Sequence, residues 1–162
     1  MNDNNALRDL QGEIQKTIEK IEALDIFFRQ VKDDVKSMPA ERQYDLILMA
    51  EVFVDFYTCL ETGFIRISKF FENNLDSSRR HSHLLEKMTI SIPAVRQRVI
   101  GDKTYSLLLE FLRFRHFRRY YFEFNYDRDR IEFLEKKFVE LMTIIKKDLL
   151  EFVGFLERLC NQ

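Results

Sequence analysis

Hydrophobic residues recur at every third or fourth position through most of the chain, which is the spacing that places them on one face of an α-helix. The first such stripe comprises Leu7, Leu10, Ile14, Ile21, Leu24, Phe28, Val31 and Val35. The second comprises Leu46, Met49, Phe53, Phe56, Leu60, Phe64, Ile67 and Phe71. Only Thr17 interrupts the first stripe. The patterns predict two long helices, each with a single apolar face that packs into a core.

Residues that cap or break helices separate the stripes. Pro39 lies where the second helix should begin, and a proline in the first turn of a helix loses no hydrogen bond. Polar residues at 73–78 should end that helix and cap a short third one at about residues 78–89. Pro93 should end this element, because the residue before a proline avoids helical backbone angles.

Two further stripes follow. Asp102 is the predicted cap of a fourth helix, whose core face comprises Leu107, Phe111, Phe114, Phe117 and Tyr121. The chain should turn at residues 123–126. Asp127 is the predicted cap of a fifth helix, whose stripe comprises Ile131, Leu134, Phe138, Leu141, Ile145, Leu149, Phe152, Leu156 and Leu159. Both patterns again predict long helices.

The composition agrees with a helical protein of one domain. Only four glycines and two prolines occur among 162 residues, and residues that favour helices are abundant. No linker, low-complexity segment or internal repeat divides the chain. We therefore expect one all-α domain over residues 1–162, an antiparallel four-helix bundle of long helices with one extra short helix.

Features of secreted and membrane proteins are missing from the sequence. The most apolar region, residues 46–64, is interrupted by Glu51, Asp55 and Glu61, which argues against a membrane span. The first residues lack the basic and apolar regions of a signal peptide. Two cysteines are too few for a disulfide framework. We expect a reduced, cytoplasmic protein.

Positive charge is concentrated in the fourth helix, although the net charge of the chain is only −1. Arg113, Arg115, His116, Arg118 and Arg119 have no acidic residue between them. Such a cluster attracts phosphate, so a nucleic-acid contact is one interpretation. A solvated basic face is the other. Because the cluster falls largely opposite the predicted core face, it should be exposed.

The sequence gives little support for a nucleotide-binding or metal-dependent enzyme. The sequence contains no G-x-x-x-x-G-K-[ST], no G-x-G-x-x-G and no H-E-x-x-H. His81 and His83 are two residues apart, so they would point in divergent directions on a helix and make a poor metal pair. Cys59 lies on the apolar second helix and is expected to be a small buried residue. We expect neither a metal nor a cofactor.

The sequence RFRHFRRYYFEFNYD at residues 113–127 resembles the active-site helix of the HepT-like branch of the HEPN superfamily. These are bacterial toxin ribonucleases encoded beside a minimal nucleotidyltransferase antitoxin. Similar stretches occur in order at residues 55–61, 81–88 and 92–100. The family motif is R-x4-H-x-Y, and its arginine corresponds to Arg115. The motif histidine is replaced by Tyr120, and the motif tyrosine is replaced by Phe122.

The resemblance implies a metal-independent endoribonuclease. Arg115 would stabilise charge on the phosphate, and the position of Tyr120 would transfer the proton. Tyrosine has an ordinary pKa of about 10 against about 6.5 for histidine, so Tyr120 is a much weaker base at neutral pH. His116, one turn earlier on the same face, is a candidate replacement. Phe122 has no hydroxyl to accept the AMP with which the partner can modify these toxins.

Three hypotheses follow from the sequence. The chain is a HepT-like ribonuclease, active or degenerate, whose basic helices line a shared RNA cleft in a homodimer. Alternatively, it is a non-catalytic subunit that binds a nucleotidyltransferase or RNA, or a helical interaction protein without a nucleic-acid role. The homodimer is expected because Leu108, Leu109 and Leu112 lie off the predicted core face and would be exposed in a monomer.

Overall fold

The computed structural model describes residues 2–37, 44–72, 80–120 and 126–161. The predicted helix start at Pro39 and the predicted caps at residues 73–78 lie outside these ranges, as does most of the predicted turn at 123–126. The described part of the chain contains five helices and no strands, which confirms the all-α prediction. These are α1 (Asn2–Val35), α2 (Tyr44–Glu72), α3 (Arg80–Lys87), α4 (Asp102–Tyr120) and α5 (Arg128–Cys160).

The four long helices pack as an antiparallel bundle in the order α1, α2, α4, α5. Along α1 and α2, rising residue numbers on one helix meet falling numbers on the other, as in the pairs Glu13–Arg66 and Phe28–Phe53. Salt bridges mark two other seams: Lys32–Glu135 and Lys146–Glu22 join α1 to α5, and Lys103–Glu140 and Arg130–Glu110 join α4 to α5. None of the described helices is long and apolar enough to cross a membrane.

A cluster of phenylalanines joins all four long helices at the centre of the core. The ring of Phe138 in α5 lies 4.7 to 6.3 Å from the rings of Phe28, Phe53, Phe56 and Phe111, measured between centroids. All five side chains are buried. The tilted and edge-to-face arrangements are the ones that aromatic quadrupoles favour. This cluster fixes the positions of the four helices along the bundle axis relative to one another.

Two carboxylates organise the starts of the last two long helices. Asp127 accepts a hydrogen bond from the backbone N–H of Asp129 at 3.1 Å, which confirms it as the cap of α5. Asp102 is the first helical residue of α4, so its prediction as the cap was wrong by one position. Instead, Asp148 of α5 accepts hydrogen bonds from the N–H of Gly101 at 3.0 Å and the hydroxyl of Thr104 at 2.5 Å. The start of α4 is therefore tied to α5.

A buried arginine organises the connection between α3 and α4. The side chain of Arg96 is 0 % exposed and donates to Glu72 Oε1 at 2.7 Å and to the carbonyl of Lys87 at 3.0 Å. Lys87 Nζ lies 2.8 Å from the other carboxylate oxygen of Glu72. Arg96 also donates to the carbonyl of Ile90 at 3.0 Å. This arginine is therefore a structural residue that anchors the connection to the end of α2.

We predict that Glu72→Gln lowers stability by about 1–3 kcal/mol at neutral pH, because Arg96 loses its buried counter-charge. Burial alone would raise the pKa of Glu72, but hydrogen bonds from Lys87 and Arg96 outweigh it and hold the pKa below its ordinary value of 4.5. The carboxylate therefore contributes its stability above that value and loses it as the pH falls through the lowered pKa.

Urea unfolding across the acid range checks this prediction. The difference in unfolding free energy between the wild type and Glu72→Gln should be constant near neutrality and should shrink only below the ordinary glutamate pKa. Glu86→Gln, at an exposed position of the adjoining helix, is the control and should show little difference at any pH. A difference for Glu72→Gln that is already small at neutral pH would contradict the structural role.

Candidate functional site

The core face of α4 is rotated relative to the face predicted from its sequence. Phe117 is 42 % exposed, so its assignment to the core was wrong, whereas Leu108 is fully buried. At 100° per residue, the centre of the buried face has moved by roughly 60° towards Leu108 and α2. Apolar residues occur nearly all round this helix, so spacing alone did not decide which of them face inwards. Tyr121, the last predicted core residue, lies outside the described residues.

The rotation brings Arg115 against α2. Its guanidinium forms a salt bridge with Glu61, and their side chains are only 22 % and 7 % exposed. It also lies over the ring of Tyr57, 5.7 Å from the centroid. Burial, with the charge of Glu61, raises the pKa of Tyr57 well above its ordinary range, so its hydroxyl stays neutral. Arg115 is therefore held in a fixed position and is not on an exposed face as predicted.

Acids of α2 and α4 also pair with other arginines of α4, so the expectation of an unneutralised cluster was wrong. Arg118 forms a salt bridge with Glu51 of α2. The exposed Arg113 pairs with Glu110 on its own helix at 2.9 Å. Arg119 is exposed and forms no ion pair with the residues that the structure describes. The local charge is therefore partly balanced, and Arg119 is the most available cation.

Three arginines line an open groove between α2 and α4, which we call the arginine groove. Its volume is about 500 Å³, and its lining residues are Glu51, Val54, Thr58, Arg115, Arg118 and Arg119. One guanidinium nitrogen of Arg118, Nη1, is buried and has no hydrogen-bond partner in the described structure. A larger groove of about 610 Å³ between α1, α2 and α5 contains none of the predicted site residues.

His116 and Tyr120 lie side by side on the outer face of α4, and we call them the ring pair. Their ring centroids are 4.6 Å apart and their planes are tilted by 46°. This confirms that the two residues share one face. Arg113 belongs to the same outer face, whereas Arg115, Arg118 and Arg119 line the groove. Phe122, at the position of the motif tyrosine, lies outside the described residues.

Sequence reasoning missed the contribution of α2. Glu51, Thr58 and Glu61 follow a helical spacing and all face α4. The two acids were read as interruptions of an apolar segment, and Glu61 also as the end of a family-like stretch, but neither was predicted to pair with the arginines. Burial and the neighbouring Glu51 also raise the pKa of Asp55 on this helix. A polar stripe beside the apolar stripe was therefore the signal for a second wall of the site. Cys59 is half-buried, and burial raises its pKa, which makes its thiol a poor nucleophile.

The groove is suited to holding an anion. Guanidinium groups offer paired N–H donors that match phosphate oxygens, and Glu61 and Glu51 fix two of the three groups in place. Proton transfer is a different matter, because the histidine and tyrosine of the ring pair lie on the outer face. The geometry therefore separates the cationic groove from the rings of His116 and Tyr120.

The family model described as "HepT-like protein" matches residues 48–156. The match begins near the start of α2, includes every lining residue of the arginine groove and ends in α5. The chain belongs to the HepT-like family. No curated protein and no solved structure matches it significantly. The resemblance read from residues 113–127 is thus confirmed at the level of the family.

We predict that Glu61→Gln in this HepT-like protein lowers the unfolding free energy by about 1–3 kcal/mol, because Arg115 keeps its partly buried charge and loses the carboxylate. Glu110→Gln is the matched control. It removes the partner of two well-exposed arginines, Arg113 and the more distant Arg130, and should cost less than about 1 kcal/mol. Urea unfolding measures both, and equal losses would mean that the Glu61–Arg115 pair has no special structural weight.

Proposed function

We propose that this HepT-like protein binds RNA phosphate in the arginine groove, as a degenerate relative of metal-independent endoribonucleases. The observation that carries the proposal is the open groove lined by Arg115, Arg118 and Arg119. Arg119 is exposed and forms no ion pair with the described residues, so its guanidinium can donate to a phosphate oxygen. The neighbouring arginines favour the negative charge.

Cleavage is impaired in this proposal because a proton-transfer group is missing from the motif position. Transfer at the 2′-hydroxyl or the leaving oxygen contributes about 10²–10⁴-fold to such reactions. Tyr120 occupies the position, and a phenol is a far poorer proton acceptor than an imidazole at neutral pH. The second candidate function is an active ribonuclease in which His116 transfers the proton. The observation that favours it is the contact between His116 and Tyr120.

We infer two partners and a compartment from family membership. A minimal nucleotidyltransferase antitoxin is the first partner, and co-purification with a nucleotidyltransferase encoded beside the gene tests it. Modification by AMP is not expected at Phe122, which lacks a hydroxyl. The second partner is another copy of the chain. A cytoplasmic location gives access to RNA and keeps Cys59 and Cys160 as free thiols.

We predict a homodimer with α4 at or beside the interface. Leu108 no longer supports this, because it is buried within the monomer. Leu109 and Leu112 are only partly buried, and a partner that covered them would remove apolar area from water at about 25 cal/mol per Å². Light scattering at micromolar concentration should give the mass of a dimer, and a monomer mass would contradict the prediction.

We predict that RNA binding is salt-sensitive through the arginine groove. Each phosphate contact should contribute about 0.7 to the slope of log affinity against log salt for a single strand. The double variant Arg118→Ala/Arg119→Ala should therefore flatten the slope by about 1.4. Fluorescence anisotropy of a labelled RNA measures it. Arg29→Ala on α1, an arginine paired with Asp25, is the control and should leave the slope unchanged. Parallel slopes for the double variant and the wild type would place the RNA elsewhere.

We predict that Tyr120→His creates ribonuclease activity or raises it by about 10²–10⁴-fold, because it restores an imidazole at the motif position. Cleavage of a labelled RNA measures the gain, and adding Arg115→Ala to this variant should abolish it. A folded variant without any gain would show that more than the proton-transfer group has been lost. Cleavage by the wild type that His116→Ala abolishes would instead support the active enzyme.

A further inference from the structure

We propose that the ring pair is a base-binding subsite for single-stranded RNA. One unpaired base stacks against the exposed rings of His116 and Tyr120 while the adjoining phosphate lies in the arginine groove. This rests on the proposed function, because it assigns the base to a nucleotide whose phosphate the groove holds. It gives Tyr120 a role in binding instead of the proton transfer that its motif position implies.

Both rings of the pair are accessible to a base. Tyr120 is 62 % exposed, and His116 is also exposed. The ring centroids are 4.6 Å apart, so a planar ligand meets two adjoining ring surfaces. Aromatic side chains bind bases in this way regardless of sequence, since every base has a π-face. The ring pair therefore offers a stacking surface for a base, which a basic face that is merely solvated would not require.

The ring pair also lies next to the arginine groove. Arg119 lines the groove and directly precedes Tyr120, so the two side chains diverge from the same turn of α4 by about 100°. Arg113 lies one turn before His116 on the outer face. A strand that follows this turn meets cations for its phosphates and rings for its bases. Single-strand binding sites combine these two elements.

Two other exposed aromatic residues, Phe133 and Tyr44, lack this combination. Phe133 on α5 is already flanked by Arg130 at 5.9 Å and Lys137 at 5.5 Å from its ring centroid. Tyr44 is as exposed as Tyr120, at 64 %, but it is the first residue of α2 and does not line the arginine groove. An exposed ring alone therefore does not make a base-binding subsite. Tyr44 provides a matched control, because its ring is equally exposed but lies away from the arginine groove.

The subsite selects unpaired bases over a duplex. In double-stranded RNA each base is stacked between its neighbours, so its faces are closed to protein side chains. The subsite adjoins the predicted dimer contact, because Leu112 precedes His116 by four residues, which is about 6 Å along a helix. The RNA base would therefore bind at the edge of that contact.

The experiment compares Tyr120→Leu with the wild type on two oligomers of equal length, a single-stranded RNA and its abasic ribose-phosphate counterpart. Tyr120→Leu should weaken binding of the RNA by roughly 5- to 150-fold and leave binding of the abasic oligomer unchanged. The salt slope should stay the same for both proteins, because no phosphate contact is lost. Tyr120→Phe should retain the affinity, and Tyr44→Leu should behave as the wild type.

Three outcomes overturn the subsite. In the first outcome, Tyr120→Leu loses the same affinity for both oligomers, or loses none for either, while the wild type still binds RNA in a salt-dependent way. This would exclude the base subsite without excluding phosphate binding in the arginine groove. Another is a shift from dimer to monomer in Tyr120→Leu with equal losses on both oligomers, which makes the ring pair a subunit contact. The third is a wild type that binds neither oligomer, and this removes the proposed function as well.

Discussion

The aromatic cluster around Phe138 is the constraint on which the other features depend. Because one ring of α5 touches rings from α1, α2 and α4, the four long helices cannot slide along one another independently. Phe53 and Phe111 bring α2 and α4 to a common level. That level places Glu51 and Glu61 opposite the arginines. The polar groove is therefore a consequence of how the apolar core packs.

Ion pairing then makes the arginines in and near α4 differ in how accessible their charges are. Arg115 is held by Glu61, and Arg96, in the connection before α4, is fully enclosed by Glu72 and backbone carbonyls. Neither is a freely exposed cation, although the sequence shows both as members of arginine-rich stretches. Arg118 is intermediate, with one nitrogen bound to Glu51 and another unpartnered. Arg119 is exposed. The arginines that line the groove thus lie on one side of α4, and the exposed rings of His116 and Tyr120 lie on its outer side.

Sequence periodicity predicted the helices well because the predicted stripes of α1, α2 and α5 are largely the residues that the fold buries. It failed at α4, where Leu108, Leu109 and Leu112 extend the apolar surface around the helix, so that the buried face depends on contacts made by α2. The side chain of Asp148, which replaces the predicted cap of α4, comes from 46 positions beyond Asp102 and has no local signal. The roles of Arg96 and Glu61 likewise arise from long-range contacts. The residues of the family motif were found by resemblance, but the contacts that surround them could be seen only in the folded structure.

The salt bridge between Glu51 and Arg118 means that the protein itself already neutralises part of the positive charge of the groove. An anion bound at Arg118, as proposed, would compete with this carboxylate, so only the difference between the two interactions would contribute to its affinity there. A lone carboxylate or another weakly charged guest replaces like with like and gains nothing. A polymer with several closely spaced phosphates reaches Arg118 and Arg119 together and gains from both. Glu51 would therefore discriminate against abundant small metabolites without any contact to a base.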